Sequence, residues 1–202
     1  MTEEEWLCTD RVDAMLRYVR SQRGRLECYE RRLRLLSCAA LRREELPDDR
    51  LLQYLDIAER YADGEVSRTT VEQYQWELAV TFFHWLKSPA VERCHQVLSP
   101  RAHRAEHCYD HLRKDDPFRA LIRDIFGNPF RPGTFSPEWR TDTALSLARG
   151  MYESRDFSAM PILADALQDA GCDNDDILNH CRDAKQVHVR GCWVVDLVLG
   201  KE

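Results

Sequence analysis

The stretch Gly191-Cys-Trp-Val-Val-Asp-Leu-Val-Leu-Gly200 decides the fold class. Its β-branched residues suit a strand. It is the single segment of that character in the 202-residue chain, however, and a lone strand has nothing to pair with. Read instead as a buried helix between Gly191 and Gly200, it completes a chain whose apolar spacing is helical nearly throughout. The expected fold is therefore all-α: a multi-helix orthogonal bundle with one extended Pro/Gly-rich loop at about 127–135.

Working outward, Asp175 to Arg182, Ala159 to Ala170 and Asp142 to Glu153 read as helices, with Gly171 after the second. Before them comes Phe126-Gly-Asn-Pro-Phe-Arg-Pro-Gly133, too rich in proline and glycine for a helix or a central strand. Asp116-Pro117, Ser136-Pro137 and Ser99-Pro100 each pair a cap with a first-turn proline. In the first half, Val12, Met15, Leu16 and Val19 share one face of a helix from about Arg11 to Ser21. A second helix is expected from Leu26 to Leu46, a third across Leu51 to Tyr61 ending at Gly64, and a fourth after cap signals at Ser67 and Thr70. One helical domain over 1–202 is expected, with a basic layer at 1–115 and an acidic layer at 116–202.

The charges are uneven. The sum is -6, from 29 Lys plus Arg against 35 Asp plus Glu, yet residues 11–43 hold ten arginines and three acids. A negative sum gives no general attraction to nucleic acid or anionic lipid. Arg31, Arg32, Arg34, Arg42 and Arg43 could bind an anion, but without aromatic interleaving they read as a solvated face. No run approaches the ~18 apolar residues of a membrane span. The acidic start, Met1-Thr-Glu-Glu-Glu, is unlike a secretory signal, so a cytoplasmic location is expected. Another protein is the expected partner, with no nucleic acid and no membrane.

Eight cysteines at irregular spacings, without any Cys-x-x-Cys, read as reduced thiols that pack as small apolar groups. Among them, Cys172, His180, Cys181, His188 and Cys192 contain the residue types of a tetrahedral zinc site, and Cys172, Cys181, His188 and Cys192 form the candidate ligand set. Zinc would then be the cofactor; otherwise none is expected. His103, His107 and His111 stand at i, i+4 and i+8, as expected of an exposed polar helix that also carries Cys108. Cys181 or Cys192 with His188 and Asp196 supplies the types for nucleophilic chemistry, but no nucleophile elbow, P-loop or dinucleotide fingerprint accompanies them. No catalytic residue is assigned.

Several stretches together resemble a family of uncharacterised bacterial proteins found in many related copies in large-genome bacteria. They are Met1-Thr-Glu-Glu-Glu-Trp-Leu-Cys-Thr-Asp10, the arginine-leucine helix ending at Arg42-Arg43, Ala58-Glu-Arg-Tyr-Ala-Asp-Gly64, and Ile122-Arg-Asp-Ile-Phe-Gly-Asn-Pro-Phe-Arg-Pro132. Pro161 to Cys172 and His188 to Lys201 continue the resemblance, which omits about residues 70–115. It implies no established activity, cofactor or substrate. Relatives often carry a Cys-x-Cys-Cys run before two arginines, where this chain has Leu36-Ser-Cys-Ala-Ala-Leu-Arg-Arg43. A metal or disulfide there is thus not required, while the C-terminal half stays open to one. The reading that follows is an interaction or accessory module with Arg123, Asn128, Arg131, His188 and Arg190 as its polar recognition surface, since they flank the two non-helical segments. A zinc-binding protein and a hydrolase-like enzyme with a His/Asp/Cys pocket are the alternatives.

Overall fold

The computed structural model describes residues 1–24, 28–83, 88–100, 116–131 and 133–201. Among them are eleven α-helices and no strand, so the all-α expectation holds. The chain divides into two units: Met1–Ser21 with Arg119–Glu202, and Gln22–Phe118. Charge alone placed the dividing line near residue 115; the contacts instead group the first 21 residues with the C-terminal part. The expectation of a helix carrying His103, His107 and His111, with Cys108, falls outside the described residues.

In the unit Gln22–Phe118, α3 (Tyr29–Leu41), α4 (Leu51–Ala62), α5 (Arg68–Thr81) and α6 (Pro89–Val97) surround Leu51, Tyr54, Leu55, Val71, Leu78, Val91 and Val97. Helix α3 is shorter than its apolar pattern predicts. Its end tightens into i to i-3 bonds, from Arg43 N–H to Ala40 and from Glu44 N–H to Leu41. The chain then leaves the helical region ahead of Pro47, whose ring disfavours helical backbone at Leu46. Arginines expected on a solvated face turn inward. Arg34 is buried, donating to the Val97 carbonyl and lying over the Tyr61 ring at 4.9 Å. Arg31 meets buried Asp63 at 2.9 Å, and Arg42 grips Glu59 and Asp56.

In the other unit, Thr2 and Glu5 form a reciprocal capping box for α1 (Glu3–Cys8), which buries Trp6. Helix α2 (Val12–Ser21) buries Val12, Met15, Leu16 and Val19, the face its spacing predicts. Helix α7 (Asp116–Phe126) belongs to this unit from Arg119 on, and α8 (Asp142–Ser154), α9 (Met160–Asp169), α10 (Asp175–Arg182) and α11 (Trp193–Leu199) follow. Ser136-Pro137 opens only a 3-10 turn, Pro137–Trp139, and α8 starts instead from Thr141, whose hydroxyl accepts from Ala144 N–H at 3.2 Å.

The segment that decided the fold class is helical. Helix α11 buries Val194, Val195, Asp196, Leu197 and Val198 and ends at Gly200, whose φ of 66° falls in the left-handed region. Arg140 donates to the Leu197 carbonyl at 2.9 Å, which also accepts the Gly200 N–H at 3.3 Å. All-round burial replaces the amphipathic stripe, which is why the sequence looks strand-like there.

Candidate metal centre

Four side chains from four places in the chain converge within the C-terminal part. Asp124 sits on α7, where it shares the buried face of Leu121, Ile122 and Ile125. His180 lies in the last turn of α10, a helix started by Asn174, whose Oδ1 accepts from Asp176 and Ile177 N–H. His188 belongs to the connection after α10. Cys192 is the residue immediately before α11, positioned by the turn at Gly191, where φ is 93°.

The four donor atoms lie within 4.8 Å of one another. Asp124 Oδ1 stands 3.0 Å from His188 Nδ1 and 3.2 Å from His180 Nε2. Cys192 Sγ stands 3.3 Å from the same His180 nitrogen and 3.8 Å from the same His188 nitrogen. Asp124 and Cys192 have no exposed surface, and the two imidazoles are about nine-tenths buried. The second carboxylate oxygen, Oδ2, accepts the Val189 N–H at 2.9 Å, which orients Oδ1 toward the imidazoles.

Burial would by itself raise the Asp124 carboxyl, but hydrogen bonds and charge from His180 and His188 outweigh it and hold the group below the usual carboxylate range. Burial, with the Asp124 charge beside it, pushes the Cys192 thiol well above its ordinary value. An activated cysteine nucleophile needs the opposite shift and an approach for substrate. The imidazole geometry also differs from a catalytic triad. There, one ring nitrogen faces the nucleophile and the other faces the carboxylate. Here each imidazole turns a single nitrogen toward both the sulfur and the carboxylate oxygen, so the donors share one centre. Asp196, although buried, is not among the converging donors.

Of the four metal candidates read from the sequence, His188 and Cys192 join this centre and Cys172 and Cys181 do not. Those two are buried in the apolar core of α8 to α11, and the Cys181 thiol is pushed up to about 12 by burial. His180 joins because adjacent residues project about 100° apart on a helix, sending Cys181 to the core and His180 to the cluster. Asp124 was missed. Its signal is an acid in phase with the apolar residues of α7.

The residues chosen as a recognition surface make contacts within this unit. Arg123 donates to the Trp6 carbonyl at 2.9 Å and to that of Thr9 at 3.2 Å. Asn128 Nδ2 donates to Glu3 at 2.7 Å, and Arg131, still largely exposed, meets the same carboxylate at 2.6 Å. The Arg190 guanidinium lies over the Tyr152 ring at 4.5 Å. A cavity of about 550 Å³ opens between α1 and α2, lined by Glu5, Cys8, Arg11 and Arg17 among others, and shares no residue with the cluster.

No protein-family model, curated protein or solved structure matches the chain.

Proposed function

We propose that this chain is a metal-binding helical protein whose centre is formed by Asp124, His180, His188 and Cys192 and serves to hold its C-terminal part together. One observation carries the reading: a single nitrogen of each imidazole, one carboxylate oxygen and one sulfur all face a common point. Four ligands at metal distances of about 2.0–2.3 Å in a tetrahedron stand roughly 3.3–3.7 Å from one another. Of the six donor separations, four run from 3.0 to 3.8 Å and all lie within 4.8 Å, close to that tetrahedron and wider than it in part. An ion there would tie α7, α10 and the start of α11 together, and its binding energy would add to folding energy.

Four protein donors and a dry surrounding favour a structural role over catalysis, since catalytic sites keep a position open for water or substrate. Seven described cysteines are free of disulfides, which supports a reducing, cytoplasmic setting. No described helix is long and apolar enough to cross a membrane. The interaction-module reading has weaker support, because Arg123 and Asn128 are engaged by the chain's own N-terminal segment.

Equilibrium dialysis of tag-free protein against zinc tests the proposal. The parent should bind about one ion per chain with high affinity. Asp124→Ala with His188→Ala should lose it, whereas replacing His103, His107 and His111 with alanine should not. Equal binding by the parent and the Asp124/His188 variant would contradict the reading.

A further inference from the structure

We infer that the centre is specific for zinc-like ions over hard, oxygen-seeking ones, and that Cys192 is the residue that sets this specificity. The inference rests on the proposed metal centre and names its ligand class. Calcium takes six to eight oxygen ligands, and magnesium keeps several waters in an octahedral shell. This cluster offers one carboxylate, and one of its two oxygens is already held by the Val189 N–H at 2.9 Å. Asp124 and Cys192 are fully buried, so little room remains for the waters a hard ion would bring. Two imidazoles and a thiolate are the donors that suit zinc and its neighbours.

Charge points the same way. An unbalanced divalent charge in a buried site carries a heavy desolvation cost. One carboxylate and one thiolate cancel it, and the imidazoles enter as neutral ligands. When an ion binds, the Cys192 S–H bond breaks, its proton passes to solvent, and the sulfur electron pair forms the metal–sulfur bond. His180 Nε2 and His188 Nδ1 release to solvent the protons they share with Asp124 in the ion-free site, each gives the freed lone pair to the ion, and each ring keeps or takes up one proton on its other nitrogen. Without the thiolate the buried site would be left with a net positive charge and with harder donors alone.

The geometry distinguishes Cys192 from the other described thiols of the C-terminal part. Its sulfur is 3.3 Å from His180 Nε2, in reach of the same centre as Asp124 Oδ1. Cys172 and Cys181 belong to the apolar core and are not members of the cluster.

The test is competitive loading of the full chain with zinc and manganese, together with cobalt(II) spectroscopy. The parent should prefer zinc and give a sulfur-to-cobalt charge-transfer band with the visible bands of a tetrahedral ion. Cys192→Asp keeps the charge but removes the sulfur, and should narrow the zinc-over-manganese preference on the order of tenfold or more. A preference unchanged in Cys192→Asp overturns the inference while leaving the metal centre intact. The same holds if the parent binds cobalt without the sulfur band, a reading that needs no variant to fold. A parent that binds no zinc overturns both this inference and the metal reading beneath it.

Discussion

The His180 imidazole stands 5.2 Å from the Trp193 indole, centroid to centroid, with the ring planes at 58°. Trp193 follows Cys192 directly, so the indole adjoins two of the four proposed ligands. Its emission should therefore respond to an ion at the centre. Adding zinc to metal-free protein is expected to change tryptophan fluorescence with a one-to-one endpoint. Trp193→Phe should abolish that response although four other tryptophans remain. A response that persists in full would place the metal elsewhere.

Two glycines approach the same indole closely. A Cβ on Gly127 would meet Trp193 Cγ at 3.1 Å, and one on Gly133 would meet Trp193 Cζ3 at 3.0 Å and Leu197 Cδ1 at 3.2 Å. Gly127 also has φ +63°, so a side chain there is strained in its backbone as well. Each alanine substitution should cost about 1–3 kcal/mol through overpacking. Thermal unfolding of the two variants checks this, and an unchanged midpoint for Gly133→Ala would show that the loop does not press on the ring.

Arg123→Ala removes the donors to the Trp6 and Thr9 carbonyls at the C-terminal end of α1. Hydrogen bonds from charged groups contribute about 1.5–3 kcal/mol each. Hydrogen exchange should rise across residues 3–9 by tenfold or more if α1 opens locally by about 1.4 kcal/mol. Zinc stoichiometry should stay the same, because Asp124 projects from a different face of α7.

In the unit Gln22–Phe118, Arg42 donates to both Glu59 oxygens, at 2.8 and 3.2 Å, and Glu59 is 2 % exposed. Arg42→Ala leaves that carboxylate buried without its guanidinium. The expected loss is about 3–5 kcal/mol in urea unfolding, and removing both partners as Arg42→Leu/Glu59→Leu should recover much of it. A loss below about 1 kcal/mol, typical of an exposed pair, would contradict the inward placement of this arginine.

Cys172→Ala and Cys181→Ala separate core thiols from the proposed ligand thiol of Cys192. Each should lower stability by roughly 1 kcal/mol through the small cavity left behind, and neither should change bound zinc. Cys192→Ala should lose the ion. Metal analysis of the three proteins side by side distinguishes the converging cluster from the ligand set that cysteine and histidine spacing alone picks out.

Local signals were the legible part. The Val12, Met15, Leu16 and Val19 stripe, the Gly64 stop and the helix Asp175–Arg182 all depend on residues a few positions apart. Even the strand-like Trp193–Leu199 yields to the argument that one strand has no partner. What the sequence hid depends on distant pairings. Arg34 and Arg42 read as surface charge because Val97, Asp56 and Glu59 lie on other helices. The same holds for Asp124, whose partner His188 lies 64 residues further along the chain. Half of the proposed ligand set was within reach: cysteine and histidine chemistry pointed to His188 and Cys192, while a carboxylate among apolar residues is silent until its neighbours are placed.

The most direct measurement of the central claim is X-ray absorption at the zinc edge of the loaded, tag-free protein. A centre made by Asp124, His180, His188 and Cys192 predicts four ligands, with one sulfur at about 2.3 Å and three nitrogen or oxygen atoms at about 2.0–2.1 Å. A shell of nitrogen and oxygen without sulfur, or one with two or more sulfurs, would contradict it.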